Sequence, residues 1–309
     1  MRILVTGGAG FIGSHLVDAF IAAGHEAIVI DNLATGVREN LNPQARFYEA
    51  DIRDAEAVGQ LFAAEKPEVL VHQAAQLDVR RSVADPAYDA DVNIIGTLRL
   101  LQAGVENGLK KVMFASSGGA IYGDTELMPT PETLSPAPIS PYGVAKLTIE
   151  HYLHYFHVIQ GLPYVALRYA NIYGPRQNPH GEAGVIAIFA ERLLRGQQAV
   201  VFGDGENTRD YVYVGDVVRA NLAALASDRV GAYNVGTGVE TTVNDLFDRL
   251  NELTEAHATR QHAAAKVGEQ RRSCLSAALA EQELGWQPQV PLEDGLRQTV
   301  EFFMEKVRS

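Results

Sequence analysis

The sequence predicts an α/β fold, a doubly wound parallel sheet with helices on both faces and a smaller α+β region after it. Three observations predict it. Short apolar runs alternate with helical stretches over residues 2–167, the pattern of repeated βαβ units. The first run ends in a glycine turn, Gly7-Gly8-Ala9-Gly10, that opens the first helical stretch. The alternation then stops near residue 170, where 171–184 is rich in Gly, Pro and Asn, the composition of a connecting loop.

The elements follow in order. Residues 2–6 form an apolar run of strand length. Over 12–23 the apolar spacing becomes helical and stops at Gly24. Ala27-Ile28-Val29-Ile30 reads as a second buried strand, ended by Asp31. Residues 45–50 are strand-like, 55–64 helical, and Val69-Leu70-Val71-His72 strand-like again. One long helix is predicted over 89–107, with Val92, Ile95, Leu98, Leu101 and Val105 along one stripe. A strand over 112–115, a helix over 142–160 closed by Gly161, and a strand over 164–167 complete the series. The prolines of 130–141 mark a loop. Later come strand-like pieces at 199–202 and 211–214, a stretch at 232–236 read as a return to the main sheet, and a final helix from Leu292. The expected division is 1–170, with a return around 211–236, and 171–309 as a mainly substrate-binding region.

Composition narrows the function classes. The 309 residues are 47% hydrophobic and 21% charged, which excludes disorder and fibrous repeats. No apolar run approaches the ~18 residues of a membrane span. The first run is too short for the core of a secretory signal, so a cytoplasmic protein is expected. A single cysteine, Cys274, excludes an internal disulfide. With 26 Lys and Arg against 38 Asp and Glu, the net charge is −12. That argues against nucleic acid, which needs a basic face. His151, His154 and His157 drift around their helix with no carboxylate or cysteine cluster beside them, so no metal site is expected.

The glycine turn continues as Gly7-Gly8-Ala9-Gly10-Phe11-Ile12-Gly13. Gly7, Gly10 and Gly13 follow a strand and open a helix, and an acid, Asp31, ends the next strand. In that context the spacing points to a Rossmann-type dinucleotide site. The glycines admit a pyrophosphate close to the backbone, and the helix start at Phe11 and Ile12 supplies N–H donors. Asp31 can bind both ribose hydroxyls and would repel a 2′-phosphate, which favours NAD over NADP. Asn32 beside it, and Asp51-Ile52 after the third strand, are placed by the adenosine. His72-Gln73-Ala74-Ala75 ends the fourth strand, where Ala74 and Ala75 permit close approach of a cofactor; ordinary strand-end polarity explains these last two segments as well. Asn93 is a candidate to orient catalytic groups or to bond a neighbouring backbone.

Tyr142 and Lys146 stand at i and i+4 on one helix face, with Pro141 suited to the helix start. Ser116-Ser117 ends the strand before them, at the edge where open α/β sheets bind ligands. A phenol with pKa about 10 is a poor base, and bringing it toward 7 takes roughly 4 kcal/mol of preference for phenolate. A neighbouring ammonium and a positive nicotinamide ring are the expected sources.

Together these residues resemble the extended short-chain dehydrogenase/reductase family of NAD-dependent epimerases and dehydratases. The resemblance rests on the glycine turn, Asp31, Tyr142-x-x-x-Lys146, the segment Ser116-Ser117-Gly118-Gly119-Ala120-Ile121-Tyr122-Gly123, and Arg209-Asp210-Tyr211. It implies Tyr142 as the acid–base group, Lys146 as its partner, and NAD as the cofactor, touched by Ser116, Tyr142 and Lys146. Most relatives carry a Ser or Thr four residues before the tyrosine of the Tyr-Gly pair. That position is Gly118, so Ser117 is the expected substitute and Ser116 the fallback. Dehydratases and decarboxylases of the family carry acids just before that tyrosine, whereas this chain has Gly119-Ala120-Ile121.

The resemblance therefore implies a 4-epimerase of UDP-hexoses that oxidises C4 transiently and re-reduces it. UDP-glucose and UDP-galactose are the expected sugars, with N-acetylhexosamines or a hexuronic acid also open. The alternatives are a dehydratase or decarboxylase, or a non-catalytic dinucleotide sensor. On the substrate side it implies Asn171 and Arg209 for the diphosphate, and Val185 and Phe202 for the uracil. Lys266 stands in a basic-x-Gly-acid pattern with Glu269, and Arg271 or Arg272 can support it. Ser273 or Cys274 falls at the sugar-pocket wall. It also implies a homodimer built from the helices starting near Asp89 and Tyr142.

Overall fold

Strand β1 (Arg2–Thr6) is buried along its length, and its side chains alternate between two cores. Ile3 and Val5 pack with Leu16, Val17 and Phe20 of the Phe11–Ala22 helix and with Val217 and Ala220 of the Val214–Ala226 helix. Leu4 faces the other way, toward Leu61 and Phe62 of the Ala55–Glu65 helix, Leu100 and Leu101, and Ile149 and Leu153. A strand buried on both faces must be apolar at every position, which is why β1 reads as a continuous run. This computed structural model describes residues 1–180, 184–265 and 270–308.

The remaining strands of the main sheet are β2 (Glu26–Asp31), β3 (Arg46–Glu49), β4 (Val69–His72), β5 (Lys111–Ser117) and β6 (Tyr164–Tyr169), joined later by Gly231–Val235. From the Gly231–Val235 edge the order is that strand, β6, β5, β4, β1, β2, β3. All the pairings are parallel. The order reverses between β4 and β1, so the loops leaving those two strands diverge and leave a crevice at their carboxyl ends. That is the switch point where open α/β sheets bind ligands.

After β6 the chain builds a second layer from β7 (Asn171–Tyr173), β8 (Val200–Phe202) and β9 (Thr208–Tyr213), with β10 naming the returning Gly231–Val235. β11 (Glu240–Thr242), β12 (Gln261–Ala263) and β13 (Arg272–Ser273) follow. β9 is the centre of the smaller sheet and pairs with β7, β11 and β13. Of the stretch 211–236, only β10 pairs into the main sheet, while the strand ending at Tyr213 lies in the smaller one. A third core, with Tyr173, Phe189, Phe247, Leu296 and Phe303, joins this sheet to the Val185–Leu194, Val243–Leu253 and Leu292–Arg308 helices.

Two expectations change. The helix expected over 89–107 is three pieces in line: Pro86–Ala90, a π-helical turn Asp91–Gly96, and Thr97–Glu106. Within the turn, Thr97 Oγ1 donates to Asn93 O at 2.6 Å. The Asn93 side chain is drawn out of the helix to Gln76. Single π turns of this kind recur at functional sites. The loop expected over 130–141 ends one residue early, because Pro141 is the first residue of the Pro141–Gln160 helix, capped by Ser140 Oγ accepting from Gly143 N. Among the described residues no helix is long and apolar enough to cross a membrane.

Candidate active site

The crevice between β1 and β4 is shaped by glycines that have no steric alternative. A Cβ on Gly7, whose φ is +69°, would lie 2.8 Å from Ala74 N, and one on Gly13 would lie 2.1 Å from Gly7 O. The Phe11–Ala22 helix starts at Gly10 with no side-chain cap, so the N–H groups of Phe11, Ile12 and Gly13 face the crevice with their positive dipole end. Asp31 closes the far side. Its Oδ2 accepts from Ala9 N at 3.0 Å and its Oδ1 from Leu33 N at 2.8 Å. This donor set, with an acid at the end of β2, fits a dinucleotide.

Asn32 donates to Asp51 Oδ2 at 2.9 Å. Arg53 grips Asp51 through Nε and Nη2. These bonds hold the Asp51 carboxyl down at about 2, with the Arg53 bond the largest cause. Ile52 packs against Gly96, where a Cβ would lie 2.9 Å from it. Asn32, Asp51 and Ile52 are thus brought together at the β2–β3 end of the crevice.

On the β4 side the hydrogen-bond directions can be assigned by elimination. Thr97 spends its proton on Asn93 O, so its oxygen accepts from His72 Nε2–H at 2.8 Å. His72 Nδ1 then accepts from the Thr6 hydroxyl at 2.7 Å, and Thr6 Oγ1 accepts from Gln73 N and Ala74 N. Burial drives the His72 pKa to about 3, with the nearby Lys146 charge as a second cause. The ring is neutral, and it ties the ends of β1 and β4 to the π turn. Asn93 completes the tie. It bonds the Gln76 backbone through both amide atoms at 2.9 Å and donates to Asp89 Oδ1 at 3.0 Å.

Lys146 is 3% exposed. Its Nζ donates to Ala115 O at 2.8 Å and sits 4.8 Å from the Phe114 ring centre and 5.6 Å from that of Tyr142. Burial lowers its pKa to about 8, against the charges of Asp89 and Glu150, which raise it. Burial raises the Tyr142 phenol to about 12, and the neighbouring Ser117 hydroxyl opposes that rise.

Alternation along β5 sends Ser116 the other way. Its hydroxyl donates to Glu150 Oε1, so it is not the substitute hydroxyl, and what it can offer a cofactor is backbone. Glu150 forms a bidentate buried pair with Arg168, at 3.0 and 2.6 Å. Arg168 in turn holds Tyr122, which donates to Asn234. A Cβ at position 118 would lie 2.4 Å from Leu275 Cδ1, so a side chain there would require the buried Leu275 to shift.

The substrate side is more dispersed. Asn171 Oδ1 and Ser273 Oγ both lie 3.9 Å from where a Cβ on Gly119 would stand. Ser273 is buried in β13, beside Arg209 of β9. Cys274 is buried too, and burial raises its thiol to about 12. Arg209 Nη1 donates to Thr208 O at 2.7 Å. Val185 opens its helix against the third core, and Phe202 is 42% exposed in β8. Arg271 is engaged by Asp204 and Asn207, and Arg272 by Glu240. Lys266 and Glu269 lie outside the described residues.

Three supporting residues escaped the sequence analysis: Asp89, His72 as a tie rather than a strand end, and Asp210. Asp210 is 1% exposed and accepts from Thr237 N and Oγ1, Gly238 N and Leu275 N. It pins the turn after β10 and the segment after β13 to β9. Burial raises its carboxyl pKa against those bonds. Its place in Arg209-Asp210-Tyr211 was visible, but its role depends on contacts 27 and 65 residues away.

The model of the NAD dependent epimerase/dehydratase family matches residues 3–236. The chain belongs to that family. A UDP-glucose 4-epimerase of Mycolicibacterium smegmatis is 46% identical over 99% of both chains. The UDP-glucose 4-epimerase of Thermotoga maritima, solved with UDP-glucose, superposes with a TM-score of 0.98 at 52% identity, covering 99% of this chain and 100% of that one. The UDP-glucose 4-epimerase of Thermus thermophilus, solved as a complex with NAD, gives 0.94 at 47% identity, covering 98% and 99%.

Proposed function

We propose that this chain is an NAD-dependent 4-epimerase of UDP-hexoses, acting on UDP-glucose and UDP-galactose. The observation that carries this is the Tyr142 ring 5.6 Å from the buried Lys146 ammonium, at the carboxyl edge of β5 next to the glycine crevice. Gly7, Gly10, Phe11, Ile12 and Gly13 would hold the pyrophosphate, and Asp31 with Asn32 the adenosine ribose. Asp51 and Ile52 would bound the adenine, while Ala74, Ala75, Asn93 and the Ser116 backbone line the approach to the reacting end. When bound, NAD supplies a reversible hydride acceptor and a positive ring.

The chain's residues handle the proton. Ser117 and Tyr142 hold the C4 hydroxyl between them, Tyr142 takes its proton as C4 becomes a carbonyl, and the same proton returns when C4 is reduced from the other face. Lys146 stabilises the phenolate. Burial raises the phenol, so the Lys146 ammonium and the positive ring act together in lowering it. With Gly119-Ala120-Ile121 in place of acids, elimination has no local proton donor, which favours epimerisation over dehydration.

Asn171 and Arg209 would take the diphosphate, and Val185 and Phe202 the uracil; Lys266, Glu269 and Arg271 are assigned to the same end. Ser273, small and buried beside Gly119, supports acceptance of N-acetylhexosamines. We assign residues 1–170 and the β10 return to the cofactor, and 171–309 mainly to the substrate. The two helical stretches expected at a homodimer interface leave Ile95, Val144, Tyr155 and Ile159 exposed, which supports a homodimer, and the cytoplasm is the proposed location. The test is incubation with a panel of UDP-hexoses and separation of the products. Interconversion of C4 epimers at constant mass, without added NADH, is expected, with Tyr142→Phe reducing it by about 10³-fold. Unchanged turnover in Tyr142→Phe would refute the assignment.

A further inference from the structure

Glu150 takes no part in the proton chemistry, yet it lies on the Pro141–Gln160 helix one turn beyond Lys146 and is 7% exposed. The helix grips the end of β5 with these two residues, spaced i and i+4. Lys146 Nζ donates to Ala115 O at 2.8 Å, and Glu150 Oε1 accepts from Ser116 Oγ at 2.5 Å. Ala115 and Ser116 are consecutive in the strand, and Ser117 is next. Arg168 stands directly opposite Ser116 in the pairing of β5 with β6. It holds both oxygens of Glu150, through Nε at 3.0 Å and Nη2 at 2.6 Å. One carboxylate is thus bonded to facing residues of two strands.

We propose that Glu150 is a positioning residue, which with Arg168 and Ser116 locks the Pro141–Gln160 helix to the ends of β5 and β6 in the register that places Tyr142 and Lys146 at the crevice. This rests on the acid–base role proposed above for that pair. Apolar contacts of the same helix, through Ile149, Leu153 and Phe156, hold it on the sheet. Apolar burial is non-directional, however, and leaves the register loosely set. Hydrogen bonds weaken steeply with angle, so the carboxylate fixes what the packing does not. Stability alone does not account for the pair, because a buried ion pair is often no more stable than apolar residues of the same volume.

The lock extends beyond the two strands. Arg168 Nη1 donates to Tyr122 Oη at 2.8 Å, and Tyr122 donates to Asn234 Oδ1 at 2.9 Å. Asn234, on β10, donates through Nδ2 to Thr130 O at 2.9 Å. The third strand and the segment after Ser117 are therefore tied to the same ion pair. Ser116, Tyr122, Glu150, Arg168 and Asn234 are all buried, where water does not replace a lost bond.

The experiment uses the full chain with NAD bound, and kcat is counted per bound NAD so that unfolded protein does not enter the rate. The double variant Glu150→Leu, Arg168→Met exchanges the pair for apolar side chains of similar size, which keeps the fold. Its kcat falls by about 10- to 100-fold, while KM for UDP-glucose and Tm stay close to those of wild type. A folded double variant with wild-type kcat overturns the proposal. Ser116→Ala removes only the link to β5 and covers the case in which the double variant does not fold. It lowers kcat about fivefold at unchanged NAD affinity, and adds no further loss in the double variant. A wild-type kcat in Ser116→Ala, or an equal loss in both backgrounds, overturns the proposal, since the hydroxyl then does not act through Glu150. A crystal structure of the double variant reads the register without turnover: the Lys146 Nζ–Ala115 O distance lengthens beyond hydrogen-bond reach, and a distance unchanged at 2.8 Å contradicts the lock. If Tyr142→Phe keeps its turnover, the acid–base reading fails instead, and that distance still decides whether Glu150 sets the helix.

Discussion

The cofactor crevice and the substrate side meet at the same sheet edge but are built by different means. The crevice is made of backbone. Gly7 and Gly13 stand where a Cβ would enter neighbouring backbone, and the Phe11–Ala22 helix presents uncapped N–H groups. All of it comes from the first two strands and the loop after β4. The proposed substrate side is made of side chains from separated pieces, Asn171 of β7, Phe202 of β8, Arg209 of β9 and Ser273 of β13, and Asp210 pins the turn after β10 and the segment after β13 to β9. A site made of backbone in one local unit is fixed by residue type at each position. A site made of long-range pieces is fixed by how those pieces dock. The first tolerates no substitution at a few positions, and the second tolerates many except at its pin.

That contrast can be broken or sharpened by mutation. The largest effect is expected in the crevice. Gly13→Val collides with Gly7 O and should abolish NAD binding, measured by calorimetry or by cofactor retained through purification. Retained tight binding would mean that the crevice is not the pyrophosphate site.

Next is the pin. Asp210→Ala strands several buried donors, each worth about 1–3 kcal/mol, and should cost about 3 kcal/mol in denaturant unfolding while raising KM for the UDP-sugar. NAD affinity should fall less, because Asp210 bonds the turn after β10 but no residue of the glycine crevice. Equal losses at both ligands would erase the distinction between the two regions.

A smaller effect tests the tie between β1, β4 and the π turn. His72 titrates near 3 in the fold and near its ordinary 6.5 when unfolded. Its folded pKa is depressed, so the stability it allows is fully present above 6.5 and is lost as pH falls toward 3. By pH 5 the loss from this one group is about 2 kcal/mol. His72→Gln should be less stable than wild type at pH 7 yet lose about that much less between pH 7 and 5. Identical pH slopes would show that folding does not depress the pKa of the ring.

The smallest effect is at Arg271, exposed and already held by Asp204. Arg271→Ala should change KM by less than about threefold, as an exposed ion pair is worth about 0–1 kcal/mol. A tenfold rise would make Arg271 a main diphosphate contact and not a peripheral one at that end.

The same contrast governs what was legible in the sequence. β1, the glycine turn and Asp31 were readable because each position has one physical solution. Tyr142 and Lys146 were readable from helical spacing, and Ser117 from being the hydroxyl nearest to an occupied family position. What a side chain at position 118 would meet, Leu275, appears only in three dimensions. The π turn was not legible: its cause is the pull of Gln76 on Asn93, and an apolar stripe at 92, 95, 98, 101 and 105 reads as a regular helix. Ser116 read as a cofactor contact and as the fallback hydroxyl; that its hydroxyl turns to Glu150 was not legible, because alternation fixes that neighbours point apart, not which of them faces the crevice. Arg271 and Arg272 read as supports for Lys266, while Asp204 and Glu240, 67 and 32 residues away, hold them. The phenol was expected near 7 with both the ammonium and a nicotinamide ring beside it; spacing shows the ammonium and not the burial that opposes it.

The central claim is that one carbon loses and regains a hydride while Tyr142 keeps custody of the proton. It is tested most directly with UDP-glucose carrying deuterium at C4, converted in ordinary water and followed by NMR and mass spectrometry of the product. The account predicts UDP-galactose with the deuterium still at C4. Deuterium lost to solvent, or appearing at a neighbouring carbon, would contradict it.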